Sequence, residues 1–563
     1  MVSDPSVCCI GQMEPPPLPE IEVRDLNHLG LLSQLWDDLG LSSVVDQCIP
    51  VDDQVQLRPS VALKALCLNV VHGRDALYRV QPFFSQVPTE LLLGEGVTPD
   101  LLNDDALGRH LDRLFEAGGS QLFNALSLRV IAGEGLELDR LHADTTSKLV
   151  FGEYASPHEE AISVTYGHSK DHRPDLKQVM AGVTTTTDGV PTLAEMLDGN
   201  QSDKTWHGGS LERLRQRLKI PEERRVHYVG DSALITQANL DTAARCGIEV
   251  TGRLPRTVGA CAQLVTEAVL RDEWEELGAI VEGKKAARYE GQRFTSTILG
   301  HPMQGAVYRS SEPQARAEKS VRRRQQRSLK EARAEAKRLM KESYSCEADA
   351  DQAHRQFQAR WNDELLGVEG VVERRRVEGR YERRGRPALG VGRPVTEEIG
   401  LRIEVVADEA RAEQAILDES CFVLVHLGRE RLSARELLEA YKGQSVVETR
   451  FPFLKDAKWA DLFFVKRTER VEALGYVLLI SLLLWTVWER RVRRGLVASG
   501  EAPLRDVTGM EKSRPTAMVC THILRGLRVA RTTTEDRAGP WQLIGKLNHE
   551  QARVVRFTLG HIN

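Results

Sequence analysis

A change in hydrophobic periodicity near residue 136 constrains the fold more than any other feature of the chain. Before it, Leu26 to about Ala132 follows a helical pattern, with one helix beginning at Pro59-Ser60 and running to about His72. After it, the sequence from Leu136 through Asp144 alternates as a β-strand does. The pattern therefore predicts a helical N-terminal part followed by a part that contains a β-sheet.

The sheet-forming part has a recognisable order of elements. Further strands are predicted at Ile162–Tyr166 and Gln178–Thr186, with a turn at Asp188-Gly189. A short helix at Leu211–Leu218 and a fourth strand at Arg225–Asp231 follow. Three strands, a helix and another strand indicate an α/β fold in which Asp144 lies on the first strand and Asp231 follows the fourth.

A second informative stretch, Tyr441–Lys455, carries four polar residues at a suggestive spacing. Read as a helix at about 100° per residue, Tyr441, Gln444, Glu448 and Lys455 fall within roughly 60° of one another. An aromatic hydroxyl, an amide, a carboxylate and an ammonium on one face suit a polyanion with a metal ion between it and the protein. Pro452 should disrupt the helix near Glu448, because its ring clashes with the carbonyl four residues earlier.

This spacing resembles the Y-(2)-R-(3)-E-(6)-K signature of bacterial insertion-sequence transposases of the DDE type, which have an RNase H-like catalytic domain. The spacing matches at all four positions, and Gln444 stands where the family has an arginine. The resemblance runs over roughly residues 20 to 560. It implies a fold in which a mixed sheet flanked by helices is interrupted by a mixed insertion domain.

The resemblance also implies the site. Asp144, Asp231 and Glu448 would be the catalytic carboxylates and would hold two Mg²⁺ ions, for which Mn²⁺ can substitute. Tyr441, Gln444 and Lys455 would contact DNA. Asp139 is a rival for the first position, but it lies five residues from Asp144 and so on the opposite face of an alternating strand. Trp206 is expected in the core, with stacking on an unpaired base as the alternative.

The implied function is a DNA transposase that binds the terminal inverted repeats of an insertion sequence and catalyses metal-dependent cleavage and strand transfer. Its partners would be double-stranded DNA at the element ends and in the target, and a second copy of the chain in a homodimer. Two alternatives remain open: a catalytically silent, transposase-derived DNA-binding protein, and an RNase H-like nuclease without strand transfer.

The predicted domain boundaries follow from these patterns. Asp231 and Glu448 are 217 positions apart (448 − 231), far more than one helix and one strand require, so an insertion is expected between them. The predicted parts are a flexible tail (1–19), a helical N-terminal domain that could recognise DNA ends (20–132), a first catalytic part (133–254), an insertion domain with β-structure and a charged helical hairpin (255–415), a second catalytic part (416–495) and a helical C-terminal segment (496–563).

Charge is distributed unevenly along the chain. The net charge is −5. Residues 1–117 hold 7 Lys/Arg against 18 Asp/Glu, a net of −11, whereas residues 316–386 hold 20 against 13, a net of +7. Phosphate attraction depends on local patches rather than on the total. The basic segment is thus either a DNA-facing patch or a solvated helical face, and the acidic N-terminal part is either an end-recognition module or a helical scaffold.

Cysteine usage and hydropathy bear on location. The nine cysteines include no CxxC pair, which favours reduced thiols in a cytosolic protein over a zinc site or disulfides. The most apolar run, Gly475–Trp488, is too short to span a bilayer and is predicted to be a buried helix. We therefore expect a cytoplasmic, nucleoid-associated bacterial protein with no membrane partner.

Overall fold

The structure is a computed structural model that describes residues 20–51, 55–73, 75–154, 158–167, 173, 175–280, 287–362, 365–378, 395–455, 465–533 and 538–560. The predicted tail at 1–19 lies outside the described residues. Within them the chain is a mixed α/β protein. This part of the predicted fold class is confirmed.

The N-terminal part is a strand that was not predicted, followed by helices where the periodicity predicts them. Pro59 begins one of them in the first turn, where its missing N–H costs nothing. Asn103 caps another, its side chain accepting a hydrogen bond from Ala106 N at 2.9 Å. The elements are β1 (Glu20–Asp25), α1 (Leu29–Asp38), α2 (Leu41–Cys48), α3 (Pro59–His72), α4 (Val80–Phe84), α5 (Thr89–Leu93), α6 (Asp104–Glu116) and α7 (Gly119–Glu134).

The sheet-forming part follows at the expected place. Its elements are β2 (Arg140–Val150), β3 (Lys177–Thr186), β4 (Pro191–Leu197), α8 (Asp203–Arg217), β5 (His227–Val229) and α9 (Gln237–Arg245). The strands lie in the order β4-β3-β2-β5, in which β2 and β3 are antiparallel, β3 and β4 are antiparallel, and β2 and β5 are parallel. The sheet is therefore mixed, as predicted.

One of the predicted strands is wrong. Ile162–Tyr166 forms only an isolated bridge between Thr165 and Gln178, and the third strand is β4 instead. The reason is local, since the Asp188-Gly189 turn returns the chain directly beside β3, and Gly189 adopts φ 78° there. The backbone hydrogen-bonding edge of β3 is thus occupied by the nearer segment.

The next stretch supplies further strands and the charged helices. Its elements are β6 (Glu249–Arg253), α10 (Gly259–Arg271), β7 (Glu275–Ala279), β8 (Arg288–Ile298), β9 (His301–Ser310), α11 (Ser311–Leu339), α12 (Glu347–Trp361), β10 (Leu366–Glu378), β11 (Val395–Ala407), α13 (Glu409–Ser420), β12 (Phe422–Leu427) and α14 (Ala434–Lys442). Strands lie in the order β6-β12-β9-β8-β7, and β10 pairs with β11. The Ser-x-x-Glu spacing at the start of α14 forms a capping box, because Glu436 Oε2 accepts from Ser433 N at 2.9 Å while Ser433 Oγ accepts from Glu436 N at 3.2 Å.

The chain ends with one long helix among short elements. These are α15 (Ser445–Glu448), α16 (Phe451–Lys455), α17 (Thr468–Ser499), β13 (Leu504–Arg505), β14 (Glu511–Lys512), α18 (Ala517–Ile523), β15 (Arg528–Thr533), β16 (Gln542–Leu543) and α19 (His549–Leu559). Strand β15 pairs with β1, so the two ends of the described chain are joined in one small sheet.

The chain divides into two compact units. The first comprises the chain up to Glu249 together with the chain from Gly443 onward, and the second comprises Val250–Lys442. Each unit has its own buried apolar clusters. The division into six parts drawn from the sequence stays a prediction.

The basic segment lies in the second unit, where several of its arginines already have carboxylate partners. Arg324 pairs with Glu419 at 3.0 Å and Arg360 with Glu335 at 3.4 Å, and Arg322 also contacts Glu409. These exposed pairs are typical of a solvated helical face. They reduce, but do not cancel, the positive charge of α11.

Helix α17 forms the core of the first unit. It packs against α3, α6, α7, α19 and β4. It is long and apolar enough to cross a membrane, yet 94% of its most apolar window is buried inside the protein. The prediction of a buried helix at Gly475–Trp488 is confirmed, although the helix extends well beyond that run to 32 residues.

Truncating a fully buried side chain of α17 should destabilise the first unit. Leu482→Ala is expected to lower the free energy of unfolding by about 2–5 kcal/mol, because it removes apolar burial and leaves a cavity. The matched control, Val497→Ala on the exposed part of the same helix, should change it by less than about 0.5 kcal/mol. Urea titration followed by tryptophan fluorescence measures both, and equal midpoints would show that α17 does not carry the core.

Candidate active site

Two aspartates distant in sequence lie near the parallel pairing of β2 with β5. In this pairing Leu141 lies beside Tyr228 and His142 beside Val229. The pairing ends at Val229, two residues before Asp231, and Asp144 lies two residues beyond His142 on β2. Both aspartates therefore follow the same end of the paired segment.

Asp231 is held on one side by a buried hydrogen-bonded chain. Its Oδ1 accepts from Ala233 N at 2.9 Å and lies 3.4 Å from His207 Nε2. The other ring nitrogen of His207 lies 3.0 Å from the Tyr228 hydroxyl. Burial, reinforced by nearby carboxylates, raises the pKa of Tyr228, so the phenol remains protonated. The Asp231 side chain is still 38% exposed, and it can therefore meet a ligand from its open side.

Asp144 lies on the opposite face of the sheet from helix α8. Its neighbour Thr145 donates a hydrogen bond to Asp203 on α8 at 2.5 Å, and Trp206 of α8 covers Gly182, which pairs with Thr145. Successive side chains of a strand point to opposite faces, so Asp144 leaves the sheet on the other side. Its register partner Val183 belongs to the same apolar cluster as Val447 of α15.

The predicted continuous helix through Tyr441–Lys455 is wrong. The helix stops at Lys442, resumes as the single turn α15 and ends at Glu448, after which α16 begins at Phe451. Pro452 falls in the first turn of α16, where proline is tolerated. The predicted disruption near Glu448 is thus confirmed, but the four-residue stripe is not formed. Glu448 itself is exposed.

Gln444 points inward. Its side chain is 4% exposed, and with its amide oriented to satisfy both groups, the nitrogen donates to Gly230 O at 2.9 Å and the oxygen accepts from Asp231 N at 3.0 Å. The sequence predicted that this amide contacts DNA, whereas the structure uses it to fasten α15 to the end of β5. Strand β5 ends at Val229, so the Gly230 carbonyl and the Asp231 amide lie beyond its sheet hydrogen bonds, and the Gln444 side chain supplies their partners instead.

Arg450 anchors the other end of α15. Its guanidinium donates to Glu489 Oε1 at 2.8 Å, to Gly189 O at 3.0 Å and to Asp188 O at 3.1 Å, and both members of the ion pair are buried. A side chain at Gly189 would collide with this guanidinium. Gln444 and Arg450 together therefore fix the turn that presents Glu448.

The remaining predicted residues lie elsewhere. Tyr441 belongs to the second unit, where it packs against the apolar cluster containing Tyr308. Lys455 lies half-buried at the end of α16 in the first unit. Asp139 is 66% exposed and paired with Arg224 at 2.9 Å, while Trp206 is buried, as expected for core packing.

The three predicted carboxylates do not form a complete metal centre. No group of three or more His, Cys, Asp or Glu side chains in the described ranges is arranged to hold a metal ion. Asp144 and Asp231 follow the same end of the β2–β5 pairing, and Glu448 does not join them in a three-ligand set among the described residues. The candidate site thus consists of two aspartates at one end of this pairing and a third carboxylate on a separately anchored turn.

Sequence reasoning missed the residues that support this site. Arg450, His207 and Tyr228 each carry a buried polar group with a partner that lies far away in the chain. Only the Thr-Arg-Phe-Pro-Phe context of Arg450, a charge among apolar residues, offered a signal of burial.

Comparison with known proteins adds little about this site. A family model described as a domain of unknown function (DUF4277) matches residues 21–128, which cover the N-terminal helices and not the two aspartates or Glu448. No curated protein matches the chain.

Replacing Gln444 should loosen α15 without changing the surface charge. Gln444→Leu keeps the volume but leaves the Gly230 carbonyl and the Asp231 amide without partners, so we expect a loss of about 1–3 kcal/mol in the free energy of unfolding. Faster amide exchange at Asp231 should accompany it. Ser445→Ala, at the exposed neighbouring position, is the control. Unchanged exchange at Asp231 in Gln444→Leu would remove the anchoring role.

The buried His142 should make the first unit sensitive to acid. Burial, with a smaller effect from Arg140, lowers the pKa of His142 to about 4. The unfolded chain, with an ordinary pKa near 6.5, then binds the proton more readily, so stability is full above pH ~6.5 and falls as pH drops towards 4. Between pH 7 and pH 5, the free energy of unfolding of His142→Asn should fall by about 2 kcal/mol less than that of wild type. Urea titration at the two pH values measures both. His549→Asn, at an exposed position, should behave like wild type.

Proposed function

We propose that the protein is a DDE-type DNA transposase that binds the terminal inverted repeats of an insertion sequence and cleaves and transfers their strands. The observation that carries the proposal is the parallel pairing of β2 with β5, because Asp144 and Asp231 both follow the same end of it. The order β4-β3-β2-β5, with β2 and β5 parallel, is what an RNase H-like catalytic domain would have at its start. On this proposal residues 255–415, which lie within the second unit, are the insertion domain.

The donor set suits a divalent cation that prefers oxygen. Asp144 and Asp231 would hold Mg²⁺ or Mn²⁺, and Glu448 would complete the set. Two such ions, when bound, activate the attacking oxygen and stabilise the leaving one in phosphodiester cleavage. The chain's own residues do the positioning: His207 and Ala233 N orient Asp231, and Gln444 with Arg450 anchors the turn of Glu448.

The DNA partners follow from the same proposal. Lys455 and Tyr441 would contact backbone phosphates, while the buried Gln444 amide would act only through the backbone of Asp231. We further propose that the protein acts as a homodimer on double-stranded DNA in the bacterial cytoplasm, in association with the nucleoid and with no membrane partner. Because the N-terminal helices are acidic, we propose that any recognition of the element ends by them uses few phosphate contacts.

A second candidate is a catalytically silent DNA-binding protein derived from a transposase. It is favoured by one observation, namely that Glu448 does not join the two aspartates in a three-ligand group within the described residues. The two candidates differ in whether the chain cuts DNA at all. A nuclease of the same fold would cut DNA but would not join it to a target.

Metal-dependent nicking tests the proposal. Wild-type protein with Mg²⁺ or Mn²⁺ should nick duplexes that carry the inverted repeats flanking its own coding region. Asp144→Asn, Asp231→Asn and Glu448→Gln should each reduce the rate by at least about 100-fold, since each removes a charged ligand. Asp139→Asn, a nearby surface carboxylate, should cut normally. Gel analysis of end-labelled DNA gives the rates, and an active Glu448→Gln variant would refute the three-carboxylate assignment.

Supplying a target plasmid separates transposase from nuclease. Joined products between the cut ends and the plasmid are expected for a transposase. Hydrolysis without joining would favour the nuclease, and intact DNA would favour the silent DNA-binding protein.

A further inference from the structure

We propose that a pocket of arginines beside the β3–β4 turn binds a backbone phosphate of DNA. This inference rests on the proposed function, because it takes DNA as the ligand. The cavity measures about 550 Å³ and is lined by Arg490, Arg493, Arg494 and Arg514, with Asp188 and Val497 also at its wall. We call the four arginines the arginine pocket.

The sequence places these side chains together for a simple reason. One face of α17 carries four of the lining residues, because positions i, i+3, i+4 and i+7 of a helix lie on the same side. They are Arg490, Arg493, Arg494 and Val497. Arg514 reaches the same place from the loop that follows β14. The loop is held there, since Arg493 donates to Pro515 O at 2.9 Å.

Two of the four arginines already pair with carboxylates. Arg490 is buried and pairs with Asp188 at 2.9 Å and with Glu134 at 3.3 Å. Arg493 pairs with Glu489 at 2.8 Å, a single carboxylate that it shares with Arg450. These pairs hold the two arginines in place, and they include Asp188, which lines the cavity.

The other two arginines leave an excess of positive charge at the mouth. Arg494 is exposed, and its bond is to the backbone carbonyl of Glu134 at 3.4 Å, which carries no net charge. Arg514 is exposed and makes no ion pair with a residue in the described part of the chain. Burial lowers the pKa of Arg493, the charge of Glu489 opposes this shift, and the charges of Arg450 and Arg514 add to it. The pocket therefore has room and unmet charge for an anion.

The chemistry favours a phosphodiester. Guanidinium groups bind phosphate oxygens through paired N–H donors, and two arginines at the mouth can hold one singly charged group. Val497, 79% exposed at the wall, offers an apolar surface for a deoxyribose. Asp188 lies two residues after Thr186, which pairs with Leu141 on β2. Leu141 is three residues from Asp144, or about 10 Å along the strand. A strand bound at Asp144 could thus reach the pocket within a few nucleotides.

A salt titration of DNA binding tests the pocket separately from catalysis. Binding of a fluorescein-labelled duplex of arbitrary sequence is followed by anisotropy in EDTA, so that no metal is needed. Each phosphate contact contributes about 0.9 to the slope of log K against log salt. Arg494→Ala with Arg514→Ala should therefore lower the slope by about 1.8 if the two arginines engage separate phosphates, and by about 0.9 if they share one.

The control removes the same number of charges elsewhere in the first unit. Arg79→Ala with Arg109→Ala, both exposed and outside the pocket, should leave the slope at the wild-type value. A slope in the Arg494/Arg514 variant equal to that of wild type, or a control that falls as far, would overturn the proposal. So would a wild type that does not bind the duplex.

Two further results separate the possible sources and failures. If metal-free ATP binds wild type tightly and competes with DNA only in wild type, the pocket serves a nucleotide and the DNA assignment is wrong. If the slope falls as expected but no DNA is nicked under any metal condition, the pocket stands and the transposase proposal fails. If nicking occurs and the slope does not change, the pocket proposal alone fails.

Discussion

The burial of helix α17 is the constraint on which the first unit depends. A helix with so long an apolar stretch must be covered on nearly every side, and α3, α6, α7, α19 and β4 cover it. Its second half also carries charges into the interior. Glu489 and Arg490 are buried there and are satisfied by Arg450, Glu134 and Asp188. Charges in such a place persist only when paired and hydrogen-bonded, so these contacts fix the β3–β4 turn and α15 against one helix.

The side chains of the candidate site are positioned by the sheet and by buried polar contacts. The parallel pairing of β2 and β5 places both aspartates after the same end of the paired segment, and buried polar contacts orient Asp231 there. Asp231 is oriented from beneath by His207 and from the side by the amide of Gln444, whose other contact is Gly230. A carboxylate held this way loses little entropy when it binds a cation. The turn of Glu448 is anchored at both ends and exposed between them, which suits a group that meets its ligand at the surface.

Much of this could be predicted from the sequence, and what failed did so for physical reasons. Helices α3 and α6 and strands β3 and β12 carry strong local signals, which are a proline or asparagine at the helix start and a short, mainly apolar run in the strand. Strand β4 was missed because it begins with Pro191, a residue that disfavours strands, and because it pairs with β3 only through the preceding Asp188-Gly189 turn. Gln444 was misassigned because a buried amide and a surface amide look alike in a sequence. Its partners, Gly230 and Asp231, are more than 200 positions away, and no local pattern reports such a contact.

The pairing of β1 with β15 has a consequence for how the protein is made. The strand at Glu20–Asp25 finds its partner at Arg528–Thr533, and the N-terminal helices find theirs in α17, so the ribosome must finish nearly the whole polypeptide before the first unit can close. Until then, the apolar faces of these helices remain exposed to solvent, while the second unit, which is continuous in sequence, folds first. A chain terminated before α15 would therefore lack both a covered core and the turn that bears Glu448. The first unit can close only when synthesis of the chain is nearly complete.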